Sequence, residues 1–364
     1  MYLTHTSHYL YLNNTLKDSI IPKHMSSHFT EISVYLVKEF AVITKKRLIV
    51  LETHQLLFQP GLIVNQEFFD YPAMQESAKN WLFLSKYRFD TGKFYGRHGM
   101  VQLNNLQFGH ADRHEGMMFE GLSPKDCLTI GILQKSTGCT CINDLKMEAG
   151  DVIIIDDSKP YDFSSSHHTI VAIISISKVL VAKHSPYLLD ATDKLFKDKN
   201  NVLSETIENE WRRVIEEPNL FDYTHELEVM EKKIVKAIKY AFEGKTEEKC
   251  HLTEGEKTAL EVRYFLLNSL KETITVQSVL EQFKISDKTL QGSFKSLFGI
   301  TPKHFMNLLK LNKAHEDLHH ADALTTNVSD IATKWGFSHF GRFAKEYKSL
   351  FEVLPSETLN LTQT

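Results

Sequence analysis

The chain has 364 residues, of which 42% are hydrophobic and 24% are charged, and its formal net charge at pH 7 is −4. These values are ordinary for a globular protein of two or three domains, and they exclude a polycationic DNA coat. The four cysteines, Cys127, Cys139, Cys141 and Cys250, form no C-x-x-C pair and no zinc-finger spacing. We therefore expect a reducing, intracellular compartment.

No secretory signal and no membrane-spanning segment are expected from the sequence. The first residues, Met1 to His5, lack the basic and apolar regions of a secretory signal. The apolar run that starts at Ile170 is far too short to span a bilayer. We therefore expect a soluble, cytoplasmic protein with no membrane partner.

Residues 1–177 are predicted to form a β-rich domain. The first 35 residues or so are polar and weakly patterned, and short β-branched runs follow, many of them separated by Gly, Pro, Asn or Asp. The runs are Arg47–Leu51, Trp81–Leu84, Cys127–Leu133, Asp151–Ile155 and Thr169–Ile174. Several short strands at this spacing predict a small barrel or sandwich.

Residues 178–250 change to a helical period and are predicted to form a helical dimerisation or linker segment. Leu188, Leu189, Leu195 and Phe196 give one amphipathic stretch. A second stripe follows at spacings of three and four, through Leu227, Met230, Ile234, Ile238 and Ala241. Whether this stripe packs within the chain or across a dimer is open at this point. Residues 244–249 are predicted to be a linker.

Residues 251–364 are predicted to be an all-α domain. A helix from about Glu256 to Ser269 is followed by a short helix with an apolar face at Val276, Val279, Leu280 and Phe283. Ser286 is a good N-cap for the next helix, and Gly299 suits the left-handed position at its end. Thr301 and Pro302 then begin a long helix that runs to about His320.

Two stretches of this domain closely resemble each other. Phe294–Pro302 reads FKSLFGITP, and Tyr347–Pro355 reads YKSLFEVLP. Each follows a short helix, a turn and a second helix; in the second unit Gly336 ends the first helix and Ser338 is predicted to cap the next. Two helix-turn-helix units in tandem are what a protein needs to enter two successive major grooves of DNA.

Residues 256–360 resemble the DNA-binding domain of the AraC/XylS family of bacterial transcription regulators. The segment from Asp330 to Ala344, DIATKWGFSHFGRFA, carries most of this resemblance. The ending Leu354–Leu359 is similar to members that sense aromatic acids or ethanolamine. The resemblance implies an α+β, multidomain protein with a mostly β, cupin-like N-terminal domain, a helical middle segment and two helix-turn-helix units. It also implies double-stranded promoter DNA, RNA polymerase, a small-molecule effector and a second copy of the chain as partners.

Carried over position by position, the resemblance predicts which residues contact DNA. Base edges would be reached by Lys288, Gln291, Gly292, Phe340, Gly341 and Lys345, and phosphates by Lys295, Arg342 and Lys348. Ser286, Ser338 and His339, at the starts of the two reading helices, complete the predicted set.

Four residues of this domain depart from the family pattern. Gly292 and Gly341 offer no side chain to a base, and Lys284 and Glu352 stand where glycine is common. If the backbone dihedral φ is positive at Lys284, the lysine costs up to ~1 kcal/mol. Residues 251–364 contain 13 Lys and Arg against 13 Asp and Glu, a formal charge of zero. We therefore expect tight DNA binding to need both units and a dimer.

Other polar patterns give weaker functional hypotheses. His110–Glu115 holds potential metal ligands without the H-E-x-x-H spacing, and His167-His168 is typical of a surface pair, so we predict no metal site. Cys139 and Cys141 would point to one side of a strand, where we expect them to pack in the interior without a redox or metal role. Tyr161 follows Pro160 where metal-using cupins place a histidine, which argues against a metallo-oxygenase.

The sequence thus predicts a transcription regulator responsive to a small molecule, not an enzyme, with no catalytic residues, no cofactor and effector-binding residues unknown. Two alternatives remain: an effector-independent dimeric regulator, and a cupin-type enzyme with a DNA-binding appendage. A family resemblance of this kind does not separate an activator from a repressor.

Overall fold

The computed structural model describes residues 59–361 apart from 79, 90–92, 218, 244–246, 249–251 and 270–273. The polar segment 1–35, the predicted strand Arg47–Leu51, Cys250 and most of the predicted linker lie outside the described residues.

The strands are β1 (Gly61–Phe68), β2 (Leu82–Arg88), β3 (Gly96–Gln102), β4 (Leu106–Arg113), β5 (Met117–Leu122), β6 (Cys127–Ser136), β7 (Thr140–Ile142), β8 (Leu145–Met147), β9 (Asp151–Asp156), β10 (Tyr161–Ser165), β11 (Thr169–Ser177) and β12 (Leu195–Lys197). The α-helices are α1 (Tyr71–Glu76), α2 (Lys178–His184), α3 (Val202–Glu216), α4 (Thr224–Phe242), α5 (Glu254–Asn268), α6 (Val276–Phe283), α7 (Asp287–Phe298), α8 (Pro302–His320), α9 (Val328–Lys334), α10 (Phe340–Phe351) and α11 (Pro355–Leu361).

The strands form two antiparallel sheets. One has the order β1-β3-β4-β11-β6-β9-β12 and the other β2-β5-β10-β7-β8. Apolar side chains from both sheets share one buried cluster, including Met100 and Val171 from the first sheet and Phe119 and Phe163 from the second. Double antiparallel sheets closed around a common core are the jelly-roll arrangement of cupins, so the predicted mostly β, cupin-like domain is confirmed.

Helices α3 and α4 cover the outer face of the seven-stranded sheet. The predicted stripe from Leu227 to Ala241 is buried there, in one cluster with Phe108 of β4 and Ile130 of β6. Burial of a Leu or Ile side chain stabilises by about 1.5–3 kcal/mol, so the stripe holds this layer to the sheet. The stripe therefore packs within the chain, which resolves the alternative that its periodicity left open.

The prediction for Leu188 to Phe196 was wrong. Pro186–Asp190 forms a short 3₁₀ turn, and Leu195 and Phe196 lie on β12, which pairs with β9. Leu195 and Phe196 are buried on opposite faces of the sheet edge, in two different clusters. Adjacent apolar residues suit a strand that is covered on both faces, and four residues were too few to distinguish the helical period from this pattern.

The C-terminal helices begin and end close to the predicted positions. Thr253 caps α5 in a reciprocal pair with Glu256, so this helix begins two residues earlier than expected. Ser286 caps α7, Gly299 ends it with φ of 73°, and Thr301 and Pro302 begin α8. The two non-glycine residues noted above, Lys284 and Glu352, are left-handed, with φ of 51° and 64°. Ser338 was predicted as the cap of α10, but His339 occupies that position and makes no side-chain capping bond.

The C-terminal helices dock on the five-stranded sheet. Tyr87, Phe89, Met118 and the two cysteines Cys139 and Cys141 belong to the same buried cluster as the apolar residues of α5, α7 and α8. Cys139 lies just before β7 and Cys141 lies on it, and their Sγ atoms are 3.8 Å apart, so the prediction of a buried pair on one side is confirmed. Among the described residues, none of the helices combines the length and hydropathy needed to cross a bilayer.

Candidate nucleic-acid interface and barrel cavity

The first reading unit consists of α6, the turn Lys284–Ser286 and α7. The Ser286 hydroxyl accepts a hydrogen bond from the backbone N–H of Thr289 at 3.1 Å, which fixes where α7 begins. Leu290, Phe294 and Leu297 bury one face of the helix. Because these residues occupy the inner face, the opposite face turns outward and presents the predicted DNA contacts.

The second reading unit consists of α9, the turn Trp335–His339 and α10. Trp335 is buried and its indole N–H donates to Asp317 Oδ2 of α8 at 2.6 Å. Gly336 takes the left-handed conformation, with φ of 79°, that lets the chain reverse. Phe343, Tyr347 and Leu350 then bury one face of α10. Apolar residues of both units belong to one buried cluster with Phe305, Leu308 and Leu318 of α8.

The structure places the twelve predicted contact residues on the surface. Gln291 is partly buried, and its side-chain amide donates to Asp287 at 2.8 Å. The other eleven are exposed: Ser286, Lys288, Gly292, Lys295, Ser338, His339, Phe340, Gly341, Arg342, Lys345 and Lys348. Arg342 Nε lies 2.7 Å from Glu346 Oε1. An exposed pair one helical turn apart is worth only about 0.3–0.5 kcal/mol, so a phosphate would compete for this guanidinium at little cost.

Gly292 and Gly341 have no packing reason to be glycine. A Cβ atom added at either position would meet nothing within 4 Å. Glycine inside a helix costs about 0.5–1 kcal/mol relative to alanine, so both residues weaken their helices without any compensating contact inside the chain. Their bare backbone suits close approach by a ligand from outside, which is consistent with a DNA-facing surface.

A groove of about 780 Å³ runs between the two units and adds cations that sequence reasoning missed. It is lined by α8 and the start of α6 on one side and by α10 on the other, and Lys303, Lys310 and Arg342 contribute to it. Lys303 and Lys310 lie on α8, the long helix between the two units, and were not among the predicted DNA contacts. Their positions in the sequence did not indicate a DNA contact, because a lysine on the polar face of an amphipathic helix is usually only solvated.

A second candidate site is the cavity between the two sheets. The cavity measures about 50 Å³. Most of its walls are apolar or aromatic, and the lining includes Met74, Trp81, Met100, Phe119, Tyr161 and Phe163. Tyr161, the residue that stands in place of a cupin histidine, therefore points into the cavity.

The cavity contains one buried cation, Arg113 of β4, which is only 8% exposed. Its guanidinium carbon lies 5.5 Å from the ring centres of Phe119 and of Phe163. Across the part of the chain that the structure describes, the Arg113 side chain has no ion pair and no hydrogen bond. A buried charge without an anion is costly.

The neighbouring polar groups of the cavity do not supply that anion. Burial lowers the pKa of His98 to about 3, assisted by repulsion from Arg113 and His110, so this imidazole is neutral at pH 7. Burial raises the pKa of Tyr71 and of Tyr161, so both phenols keep their protons. Burial also lowers the pKa of Arg113, yet an arginine stays charged in proteins. None of the described residues that line the cavity supplies an anion, and Asp112, whose carboxylate favours the charged form of Arg113, lies on the opposite face of β4.

The five-stranded sheet separates this cavity from the DNA-binding domain. On β10, Tyr161 and Phe163 face the cavity, whereas Asp162 between them accepts from Arg263 and Tyr264 of α5 at 2.9 and 2.7 Å. Successive side chains of a strand point to opposite faces, so one strand touches both compartments. A movement of β10 at the cavity wall would therefore also displace Asp162, which is bonded to α5.

Further polar contacts hold the same interface. Arg263, 1% exposed, also donates to Asp144 Oδ1 at 2.7 Å. Glu256 accepts from Lys146 at 3.1 Å and from Ser296 of α7 at 2.7 Å. Burial by itself would raise the pKa of Glu256, but these hydrogen bonds and those from Thr253 outweigh it and bring it to about 2. Glu256 is therefore ionised at pH 7 and ties the β-rich domain to the first reading helix.

The histidine-containing segments behave differently from the sequence prediction. His110 packs edge-on against Trp211 of α3, with ring centres 4.7 Å apart. Asp112 and His114, in contrast, meet His168, which comes from the hairpin between β10 and β11. No local pattern in the sequence connects these two segments, because they lie more than 50 positions apart. The structure brings them together through the pairing of β4 with β11.

Comparisons with known proteins identify relatives of the helix-turn-helix region. Residues 279–360 match a helix-turn-helix domain family. The chain is 40% identical over 89 residues to the probable thc operon regulatory protein of Rhodococcus erythropolis, which covers 24% of this chain and 27% of that protein. It is 31% identical over 108 residues to the XylDLEGF operon transcriptional activator 2 of Pseudomonas putida, covering 30% of this chain and 69% of that protein. Among solved structures, the AraC-like transcriptional activator CuxR is similar with 14% identity and a TM-score of 0.38, over 70% of this chain and 96% of that one.

Proposed function

Because this chain belongs to the AraC/XylS family of transcription regulators, we propose that it binds promoter DNA through both reading units and that a small anion in the barrel controls this binding. One observation carries the DNA part of the proposal. Two separate helices, α7 and α10, present exposed contact sets from a single domain. The first relative named above is matched over only about a quarter of its own length. We therefore infer the activity of the present protein from this geometry and not from that relative.

Selection of bound fragments from the source genome tests DNA binding and gives the operator at the same time. We expect enrichment of specific fragments whose affinity falls steeply as salt rises, because cations that neutralise phosphates release counterions. Recovery of no enriched fragment, or binding that ignores salt, would contradict the proposal.

We also propose that the active species is a homodimer. The C-terminal domain has no net formal charge, which makes a monomer a weak ligand for a polyanion. The apolar stripe on α4 is buried against the sheet of the same chain, so a dimer contact would lie on another surface. Contact with RNA polymerase remains a prediction from the family resemblance.

The proposed effector is a small carboxylate with an apolar or aromatic body. A carboxylate matches the planar fork of the Arg113 guanidinium and can accept two hydrogen bonds from it. The apolar walls suit the rest of such a molecule, and the flexible side chains of Met74 and Met100 allow the cavity to enlarge. Regulation would follow from a population shift: the bound anion favours one position of the sheet that carries Asp162.

Replacing Arg113 by methionine separates the effector from the fold. We expect Arg113→Met to be about 1–3 kcal/mol more stable than the wild type without ligand, because it removes an unpaired buried charge. The variant should lose the rise in melting temperature that a matching carboxylate gives the wild type. The measurement is a thermal-shift screen of aliphatic and aromatic carboxylates beside their uncharged amides.

Arg97→Met is the matched control, since this arginine lies on the adjacent strand β3 with its side chain 54% exposed. It should leave both stability and ligand response nearly unchanged. An Arg113→Met variant that responds to carboxylates as the wild type does would remove the cavity from the proposal. If no carboxylate stabilises the wild type while DNA binding is intact, the effector-independent alternative gains support.

A further inference from the structure

Three side chains with metal-ligating atoms meet on the outer side of the seven-stranded sheet. They are Asp112 near the end of β4, His114 just after it and His168 just before β11. One ligand atom of each lies within 4.8 Å of the other two. Asp112 precedes Arg113, which points into the barrel, so Asp112 points away from it. The cluster is therefore separate from the cavity described above.

The distances within this cluster are close to those of a metal site. His168 Nε2 lies 2.7 Å and His114 Nε2 lies 3.4 Å from the same atom, Asp112 Oδ1. Two ligands that are each about 2.1 Å from a tetrahedral ion lie about 3.4 Å from each other. The His114 distance already has this value, and the His168 distance needs to open by less than about 1 Å. An ion would take the place of the proton that now joins His168 to Asp112.

The backbone holds the two histidines where they are. The backbone N–H of His114 donates to the carbonyl of Tyr95 at 3.2 Å, and the carbonyl of His168 accepts from Thr137 at 3.0 Å. The two imidazole rings stack with centres 4.1 Å apart and planes inclined by 27°. The His114 side chain is 42% exposed and that of His168 is 19% exposed, so water could reach a remaining coordination position.

We propose that Asp112, His114 and His168 bind one divalent transition-metal ion of the class that includes Zn²⁺, Co²⁺ and Ni²⁺. Two imidazoles and one carboxylate suit these ions better than Mg²⁺ or Ca²⁺, which prefer oxygen ligands throughout. Three protein ligands leave at least one position for water.

The location of the site relates it to the DNA-binding domain. The turn that supplies His168 also contains Ser166, and a Cβ atom added at Gly299 would lie 3.2 Å from that of Ser166. Gly299 ends α7, the first reading helix. A bound ion therefore holds the turn against which the end of this helix packs.

Titration with Co²⁺ tests the site directly. We expect the full-length protein, freed of metal by a chelator, to bind one Co²⁺ and to develop visible absorption bands of the ligated ion. His168→Gln and His114→Gln should each weaken this binding by at least about tenfold, as expected when a direct ligand is lost. His167→Gln is the matched control, because this neighbouring histidine is exposed and belongs to no such group among the described residues.

Melting curves of the metal-free variants accompany the titration. His114 is the most exposed of the three ligands, so its replacement should leave the fold intact and keep the test valid if His168→Gln unfolds. Absence of the absorption bands in the wild type would overturn the proposal. So would unchanged binding in a folded His114→Gln variant, or an equal loss in His167→Gln.

Discussion

Replacing Arg342 and Lys345 together by alanine is expected to weaken operator binding by one to two orders of magnitude while the fold stays intact. Both side chains are exposed on α10, and neither contributes to the buried face formed by Phe343 and Tyr347. Loss of a base contact by Lys345 costs about 1–3 kcal/mol and relaxes sequence preference at that base pair. Loss of a phosphate contact by Arg342 weakens all sequences alike and lowers the salt slope by about one.

Fluorescence anisotropy at several salt concentrations, with operator and with unrelated DNA, measures both effects. Lys236→Ala is a suitable control, since this exposed lysine lies on α4 and its loss changes the net charge without touching a reading unit. If the single variants at 342 and 345 each bind both DNAs as the wild type does, the assignment of α10 as a reading helix is wrong.

Two phenylalanines of the DNA-binding domain should give opposite results when replaced by alanine. Phe305 of α8 is fully buried, and its ring centre lies 5.4 Å from that of Phe89 in the β-rich domain and 5.5 Å from that of Phe294 in α7. We expect Phe305→Ala to lower the free energy of unfolding by about 3–5 kcal/mol, since it opens a cavity where three elements meet.

Phe340 is 48% exposed at the start of α10 and makes the matched comparison. Phe340→Ala should change the free energy of unfolding by less than about 0.5 kcal/mol, as surface substitutions usually do, yet weaken operator binding. Chemical denaturation and anisotropy on the same samples distinguish the two cases. A stable Phe305→Ala variant, or a Phe340→Ala variant with full operator affinity, would contradict the respective assignment.

The interface between the β-rich domain and the reading units explains how an effector could act without touching DNA. Asp162 and Glu256 connect this interface to β10 on one side and to α7 on the other. In our proposal, an anion that pairs with Arg113 of β4 would also meet Tyr161 and Phe163 in the cavity, on the face of β10 opposite Asp162. Only a ligand with different affinities for two such arrangements shifts the balance between them.

The helices of the DNA-binding domain could be predicted from sequence because their signals are local. Ser286, Gly299 and the Thr301-Pro302 pair act within one helical turn, and the structure places each of them as predicted. Lys284 and Glu352 take left-handed conformations at positions where the family pattern commonly has glycine, and a positive φ was considered from the sequence only as a condition at Lys284. Ser338 shows the limit of local reasoning, since a cap can shift by one residue when neighbouring polar residues compete for the position.

The β-rich domain gave weaker local signals and was predicted only in outline. Four of the predicted runs, among them Cys127–Leu133 and Thr169–Ile174, are strands, whereas the strand β4 that carries Asp112 and Arg113 was missed. Gly109 and the polar residues of β4 dilute the apolar alternation that marks a strand.

The sequence by itself determined the class of protein, the two reading units and the residues they expose, because helix periodicity and caps depend on neighbours within a few positions. Only the tertiary structure decided that the stripe on α4 packs within the chain, that Arg113 lies unpaired in a cavity and that His168 joins Asp112. Each of these outcomes depends on which strands pair and which face turns inward. Strand register is a property of distant segments acting together, so no single stretch of the chain encodes it.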